Sequence, residues 1–574
     1  MTATDLPPPS AEELEAMEAA DQHAVALDML LVDGALWPVV RMLPASSALR
    51  LVFELARHPG GTLRRAGELA EELSKIAIGN SEVAPSPKDR RFADATWRDN
   101  PVLKRLLQAY LAASSASADL VASADLEWQD KERLGFALDN LVAALSPSNN
   151  PLLNPLGWKA VADSKGSSAM FGAKNLISDL MSAPRVPTMV ASDAFEVGKN
   201  LAVTPGAVVL RTEVLELIQY TPTTTRVRSR PLMLVPPVIN KYYIADLRPG
   251  RSLIEYLVAG GQQVFAISWR NPDARHRDWN MDTYGQAIVD AMEAARRITE
   301  ADSVVPIGFC SGGILLSMTV AALTARGEGD RFPAFALGVC VLDQRRAGTA
   351  SAFMDERTAA MAKFASSARG YLDGRALAEV FAWLRPDDLV WSYWVNNYLQ
   401  GKQPPAFDIL HWNADTTRMA TGLHHAFVDS GLTNAMARPG AATMLGQPVD
   451  LSAIKTEAYV LAGVADHISP WQSCYRSAQL FGGNVTFALS TSGHIASIVN
   501  PPGNPKASYR AARVGIEDAE EWQFGAPMTK GSWWPAFLEW LGEYSGPGRK
   551  APGSLGGPDH PVVCPAPGQY VLDK

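Results

Sequence analysis

The sequence predicts an α/β fold: a mainly parallel β-sheet with helices on both faces, preceded by a mainly helical region. Three observations carry this. From about Ala207 onward, short apolar or β-branched runs (Val208–Leu210, Leu232–Val235, Val264–Ile267, Val304–Ile307, Phe335–Val341, Tyr459–Ala462, Val485–Leu489) alternate with helical patterns, the texture of strands buried in a parallel sheet. Before that point, apolar residues recur at helical spacing, as in Val25, Leu27, Leu30 and Leu31, then Leu49, Val52, Phe53 and Ala56. Between the two textures there is no repeat. The third observation is a strand, a glycine-bounded tight turn and an apolar helix in immediate succession at Val304–Ala325.

In order, residues 1–22 read as an acidic disordered tail, 23–190 as a helical domain, and 191–574 as the α/β domain. The first forty residues hold Asp5, Glu12, Glu13, Glu15, Glu18, Asp21, Asp28 and Asp33 and no Lys or Arg. The net charge of −8 therefore resides in these forty residues, and the remainder of the chain is balanced. Asn80–Lys88 is a polar, Pro-containing linker. Helices are predicted over Trp97–Leu145, broken at Asn100–Pro101 and ended by Ser146-Pro-Ser-Asn-Asn-Pro151. Helical patterns at Ser252–Ala259 and Tyr284–Ile298 alternate with the strands. The charge-free segment 303–325 is long enough to span a bilayer, but Pro306, Gly308, Gly312 and Gly313 make it a buried strand, a turn and a buried helix. From about 345 to 448 the alternation stops. This stretch, rich in Trp, Tyr, Asn and His, reads as a cap inserted between two strands. The Gly/Pro-rich C-terminal stretch reads as extended, with Val485–Leu489 as the last strand.

Composition excludes several classes. Apolar residues make up 47% and charged residues 20%, the balance of a soluble globular chain rather than a disordered one. Four cysteines among 574 residues are too sparse for a disulfide framework. Their scarcity points to the reducing cytoplasm. The first residues lack the charged and apolar regions of a signal peptide. No basic stripe suggests nucleic acid as a partner. Neither a resident cofactor nor a metal is expected.

The chemistry centres on Gly308-Phe309-Cys310-Ser311-Gly312-Gly313. A nucleophile elbow needs a strained central residue and small neighbours, so that strand and helix approach closely. Cys310 is that centre; taking Ser311 instead would put Phe309 where a small residue belongs. The plainer role of a small buried hydrophobe suits Cys340, within Ala336-Leu-Gly-Val-Cys-Val-Leu342. A nucleophile needs a base and an orienting acid, which in this class of elbow follow in the order nucleophile, acid, base. Asp466 follows the penultimate strand run. His494 follows the last, in a small-residue loop. His411, His424 and His425 lie in the insertion and His560 in the C-terminal stretch. The oxyanion donors are expected to be the backbone N–H of Ser311 and that of Val238 or Ile239, since Pro236 and Pro237 have none to give. Cysteine rather than serine suggests acyl transfer: a thioester acyl-enzyme keeps the activation of a thioester donor, whereas an oxygen ester loses it.

The chain resembles the poly(3-hydroxyalkanoate) synthases, from about Asp89 to near its C-terminus. The resemblance rests on Phe92-Ala-Asp-Ala-Thr-Trp97, Phe195-Glu-Val-Gly-Lys-Asn200, Val235-Pro-Pro-Val-Ile-Asn240-Lys-Tyr-Tyr243, Ser268-Trp-Arg-Asn-Pro272 and Asp278-Trp-Asn-Met-Asp282. It continues through Leu384-Arg-Pro-Asp-Asp-Leu389, Phe407-Asp-Ile-Leu-His-Trp-Asn413, Asp466-His-Ile-Ser-Pro-Trp471 and Gly531-Ser-Trp-Trp-Pro535. It implies an α/β-hydrolase fold with a cap, and polymerisation of (R)-3-hydroxyacyl-CoA with release of CoA, which is a product rather than a cofactor. It places the nucleophile, acid and base on Cys310, Asp466 and His494, and supporting roles on His467 and Asn240. The length is similar to that of the family's homodimeric branch. The implied partners are the substrate, the growing polyester granule, a second copy of the chain and granule-coat proteins; the implied location is the cytoplasm, at the granule. Ser311, where an apolar residue or Ala is expected, and Ile314, where Thr is frequent, depart from the family. A thioesterase or depolymerase on the same fold, and a granule-surface protein without activity, are the alternatives.

Overall fold

The computed structural model describes residues 45–181, 186–191, 193–345, 352, 355–374, 386–466 and 468–574. The acidic stretch 1–22, the helical pattern up to residue 44 and His467 lie outside the described residues. The described residues fall into two compact units. One holds most of 45–191 together with 386–405; the other holds 193–374 and 406–574.

The first unit is helical: Ala45–Arg57, Pro59–Ile78, Thr96–Asp99, Pro101–Ser123, Trp128–Ala144, Pro155–Asp163 and Ser167–Met181. Two of these helices start the same way. Asn100 and Asn154 each cap the free N–H groups of the following turn, and the next residue is a proline. Asn is a strong N-cap, and proline at the first helical position gives up a donor that had no partner. The break at Asn100–Pro101 is thus a helix boundary. Phe92, Trp97 and Leu107 form a small core, with Phe92 and Trp97 edge-to-face at 5.3 Å.

The second unit is built on an eleven-stranded sheet. Its strands are β1 (Gly206–Arg211), β2 (Leu215–Tyr220), β3 (Leu232–Val235), β4 (Val264–Trp269), β5 (Val305–Phe309), β6 (Ala334–Gly338), β7 (Glu457–Gly463), β8 (Val485–Ser490), β9 (Ser508–Arg513), β10 (Met528–Lys530) and β11 (Cys564–Pro565). Across the sheet the order is β10-β9-β8-β7-β6-β5-β3-β4-β2-β1-β11. The run β4-β3-β5-β6-β7-β8 is parallel, and the strands outside it pair antiparallel. This is the α/β-hydrolase fold. The parallel strands β3, β4, β5 and β6 are buried at every position, which is why they read as unbroken apolar runs. Each fully buried Leu, Ile or Phe among them contributes about 1.5–3 kcal/mol. Pro306 lies in the middle of this sheet, where its missing N–H should cost a ladder bond. The pairing of β5 with β6 begins only at Ile307, so the gap falls at the end of that ladder.

One expectation fails. Val485–Leu489 is not the last strand: β9 and β10 continue the sheet beyond it, antiparallel. Their sequence, Ser508-Tyr-Arg-Ala-Ala-Arg513 and Met528-Thr-Lys530, alternates or is polar because an edge faces water on one side. The Gly/Pro-rich stretch is extended in part and is held by strand pairing. Gly548–Lys550 pairs with Arg226–Arg228, and β11 pairs with β1.

Between β6 and β7 the chain leaves the sheet. In the second unit the insertion contributes helices Glu356–Arg369, Asp408–Ala414 and Thr421–Thr433. The Asp408–Ala414 helix is anchored at its first residue. The buried Asp408 carboxylate accepts from Arg251 Nη1 at 2.8 Å and Arg248 Nε at 2.7 Å.

Candidate active site

β5 ends in the turn that the sequence motif implies. Cys310 takes φ 49° and ψ −123°, a conformation that side chains other than glycine avoid, and caps the Ser311–Ala325 helix. Its N–H is tied to Gly338 O of the neighbouring strand at 3.0 Å. The turn is possible only without side chains at two positions. A Cβ on Gly308 would lie 2.7 Å from Gly313 Cα, and one on Gly312 would lie 2.3 Å from Pro236 O. The helix behind the turn is apolar on all sides because it is buried along nearly its whole length. Among the described residues, no helix is long and apolar enough to cross a membrane.

Asp466 stands just beyond β7 and His494 just beyond β8. Parallel neighbours deliver both to the same end of the sheet as Cys310. His494 Nδ1 and Asp466 Oδ2 are 2.7 Å apart, and both residues are buried, at 2% and 4% exposure. The other carboxylate oxygen of Asp466 accepts from Ile468 N–H at 2.9 Å and Ser469 N–H at 2.8 Å. Those two bonds fix the orientation of the carboxylate. Burial pushes the His494 imidazole down, but Asp466 and a hydrogen bond with Cys310 outweigh it and raise the group to about 10. The structure therefore brings Cys310, His494 and Asp466 together. It differs from the sequence reading in one detail: His494 opens a short helix, His494–Ile498, rather than sitting in an open loop.

The expected oxyanion donors separate. Ser311 is the first residue of its helix, where N–H groups have no intrahelical acceptor. Val238 N–H is already engaged, donating to Ser311 Oγ at 3.0 Å. Ile239 lines a small cavity with Cys310 and His494, and no acceptor for its N–H is found among the described residues. Asn240 lines the same cavity.

Two small cavities meet at Cys310. The first is lined also by Pro237, Ile244, Trp412, Asn413 and Ile498. The second is lined by Ile314, Val339, Val341, Gln344, Ile468 and Ser469. Trp412 and Asn413 are the site residues that sequence reasoning missed. They come from the insertion, and nothing in their spacing says where the insertion returns to the sheet. The signal was the motif Phe407–Asn413, quoted above without a role. Trp412 Nε1 donates to Lys241 O at 2.7 Å, and Asn240 bridges Thr416, so the insertion is stitched to the loop after β3. The insertion histidines are used elsewhere: His411 packs edge-to-face on Phe195, His424 pairs with Ser366, and His425 with Ser366, Ser367 and Lys363 O. No group of three or more His, Cys, Asp or Glu among the described residues is placed to hold a metal ion.

Comparison with known proteins adds the following. The family model described as Poly-beta-hydroxybutyrate polymerase (PhaC) N-terminus matches residues 88–257, and the alpha/beta hydrolase fold model matches residues 244–501. The chain is 44% identical over 518 residues to Poly(3-hydroxyalkanoate) polymerase 2 of Ectopseudomonas oleovorans, spanning 90% of this chain and 92% of that one. It is 39% identical over 505 residues to Poly(3-hydroxyalkanoate) polymerase of Methylorubrum extorquens, spanning 87% and 83%. It is 38% identical over 510 residues to Poly(3-hydroxyalkanoate) polymerase subunit PhaC of Cupriavidus necator, spanning 87% and 85%.

Proposed function

The chain belongs to the poly(3-hydroxyalkanoate) polymerase family, and from that premise we propose that it polymerises (R)-3-hydroxyacyl-CoA through a covalent thioester on Cys310. The observation that carries this reading is the buried His494–Asp466 pair at 2.7 Å beside a cysteine at a strand–helix elbow.

In acylation, Cys310 Sγ adds to the thioester carbonyl carbon with the one proton that the Cys310–His494 pair shares held on His494. The tetrahedral oxyanion collapses, the bond to the CoA sulfur breaks, and the CoA thiolate takes the proton back from His494. One thioester replaces another, so little free energy is lost. In transfer, the 3-hydroxyl of the next unit attacks the Cys310 thioester as His494 accepts its proton. An ester forms, Cys310 leaves with that proton, and the chain is one unit longer. Asp466 holds the imidazole in one orientation and stabilises it when protonated. Water would divert the thioester to free acid, and the lining of both cavities is largely apolar. The same reading, carried over from the resemblance, makes the protein a cytoplasmic homodimer working at the surface of its polyester granule, where granule-coat proteins meet it.

The test is to incubate the purified protein with 3-hydroxybutyryl-CoA and follow CoA and product together. CoA release with insoluble polyester supports the reading. CoA release with free 3-hydroxybutyrate would make the protein a thioesterase. Absence of release with both this substrate and 3-hydroxydecanoyl-CoA would overturn the assignment.

A further inference from the structure

The residue after the elbow cysteine carries a side chain that the reaction above leaves unused. Ser311 is fully buried at the first position of the Ser311–Ala325 helix. Its Oγ accepts from Val238 N–H at 3.0 Å. A plain role would be to satisfy a buried donor, but the placement of the bond says more. It joins the two segments that carry the candidate oxyanion donors: the helix start, with Ser311 N–H, and the loop after β3, with Ile239 N–H.

The next peptide of that loop is held from a different side. Thr417 Oγ1 donates to Val238 O at 3.1 Å, and Thr417 N–H donates to Ile239 O at 3.1 Å. In a trans peptide the C=O and N–H point in opposite directions. The bond from Thr417 to Val238 O therefore turns Ile239 N–H away from Thr417. Ser311 fixes the peptide before it, through Val238 N–H. Two consecutive peptide planes are thus set from two elements, and Ile239 N–H is left without an acceptor among the described residues, on the wall of the cavity that Cys310 lines. The loop has no slack against the helix, since Pro236 O occupies the place that a side chain at position 312 would need.

We propose that Ser311 is a positioning residue: its hydroxyl pins the loop after β3 so that Ile239 N–H, together with Ser311 N–H, meets the oxygen that turns negative when Cys310 adds to the thioester. The inference rests on the acyl-transfer reading and goes beyond it, because it assigns a role to a side chain rather than to a backbone donor.

The test compares two reactions of the same sulfur. Acylation of Cys310 by 3-hydroxybutyryl-CoA builds an oxyanion; alkylation by iodoacetamide, a displacement at a saturated carbon, builds none. Both are followed on the peptide containing Cys310 by mass spectrometry, in the full-length protein. Since deletion of one oxyanion donor typically costs 10²–10³-fold, misplacement by Ser311→Ala is expected to slow acylation by about 10- to 100-fold, with alkylation within about twofold of the parent. Thr417→Val, acting on the same loop from the other side, is expected to lower the ratio of acylation to alkylation in the same direction. An unchanged ratio in Ser311→Ala overturns the inference, because Ser311 then only satisfies a buried donor. A parallel fall of both reactions also overturns it, because the role is then structural. If the parent protein alkylates at Cys310 but takes no acyl group from 3-hydroxybutyryl-CoA or 3-hydroxydecanoyl-CoA, the acyl-transfer reading itself fails and takes this inference with it.

Discussion

Strands β5 and β6 lie side by side, run parallel and end alike. β5 runs into Cys310 at φ 49°; β6 runs into Val339 at φ 47°, with Cys340 next. Each end holds a residue other than glycine at positive φ, at a cost of about 1–3 kcal/mol; in β5 that residue is itself a buried cysteine, and in β6 a buried cysteine follows it. The two thiols have different surroundings. Cys310 stands at the start of a long helix, lines two cavities and shares one of them with His494. Cys340 packs where a side chain on Gly313 would go, and burial pushes its thiol well above the usual range. Backbone strain and a cysteine do not by themselves make a candidate nucleophile. The helix start and the histidine delivered by β8 do.

The largest effect that would sharpen this contrast is at Cys310. Cys310→Ser is expected to lower the rate of CoA release by 10³-fold or more, on the order of 4 kcal/mol of transition-state stabilisation. Near-normal turnover in a steady-state CoA assay would break the comparison at its centre. Asp466→Asn leaves the shape of the site but not the charge that orients His494. A loss of about 10²-fold or more in kcat is expected, with His494 still buried by crystallography; full activity would remove Asp466 from the site.

A third expectation concerns pH. His494 is raised from 6.5 to about 10 in the folded protein. The protonated imidazole therefore stabilises the fold fully below about pH 6.5, and this contribution is lost as pH rises through about 10. The stability gap between the parent and His494→Gln, read from urea unfolding, should be widest at pH 6 and narrow toward pH 10. A gap that widens with pH would mean that the imidazole is neutral in the fold. The smallest effect is expected on the other strand. Cys340→Ser should keep turnover within about twofold while costing about 1–3 kcal/mol of stability, because a hydroxyl is less welcome than a thiol in a buried site. Cys564→Ser should also keep turnover. Loss of activity in either variant without loss of fold would mean that a second thiol takes part.

The legible parts of the molecule share a physical cause. Six parallel strands buried along nearly their whole length hold few polar residues, so they announce themselves as apolar runs. Glycine at 308 and 312 records a backbone approach that excludes any Cβ. The chain order of nucleophile, acid and base follows from adjacent parallel strands ending at one edge. These features let Cys310, Asp466 and His494 be chosen among four cysteines and nine histidines. β2 was not legible. Leu215-Glu-Leu-Ile-Gln-Tyr220 is buried throughout, yet Glu216 and Gln219 break its apolar run. Glu216 is admitted because Arg211 Nε donates to it at 2.6 Å and because Gln569 N–H and Tyr570 N–H reach its other oxygen. No local rule could supply partners more than 300 residues away.

The sequence by itself determined the sheet's parallel centre, the elbow and the identities of the three residues brought together there, because burial, steric exclusion and strand order leave their marks on composition and spacing. Only the tertiary structure decided which of Val238 and Ile239 keeps a free N–H, which insertion residues face Cys310, and how polar strands close the edges of the sheet. Those outcomes depend on single hydrogen bonds between segments far apart in the chain, and such bonds are fixed by packing rather than by local pattern.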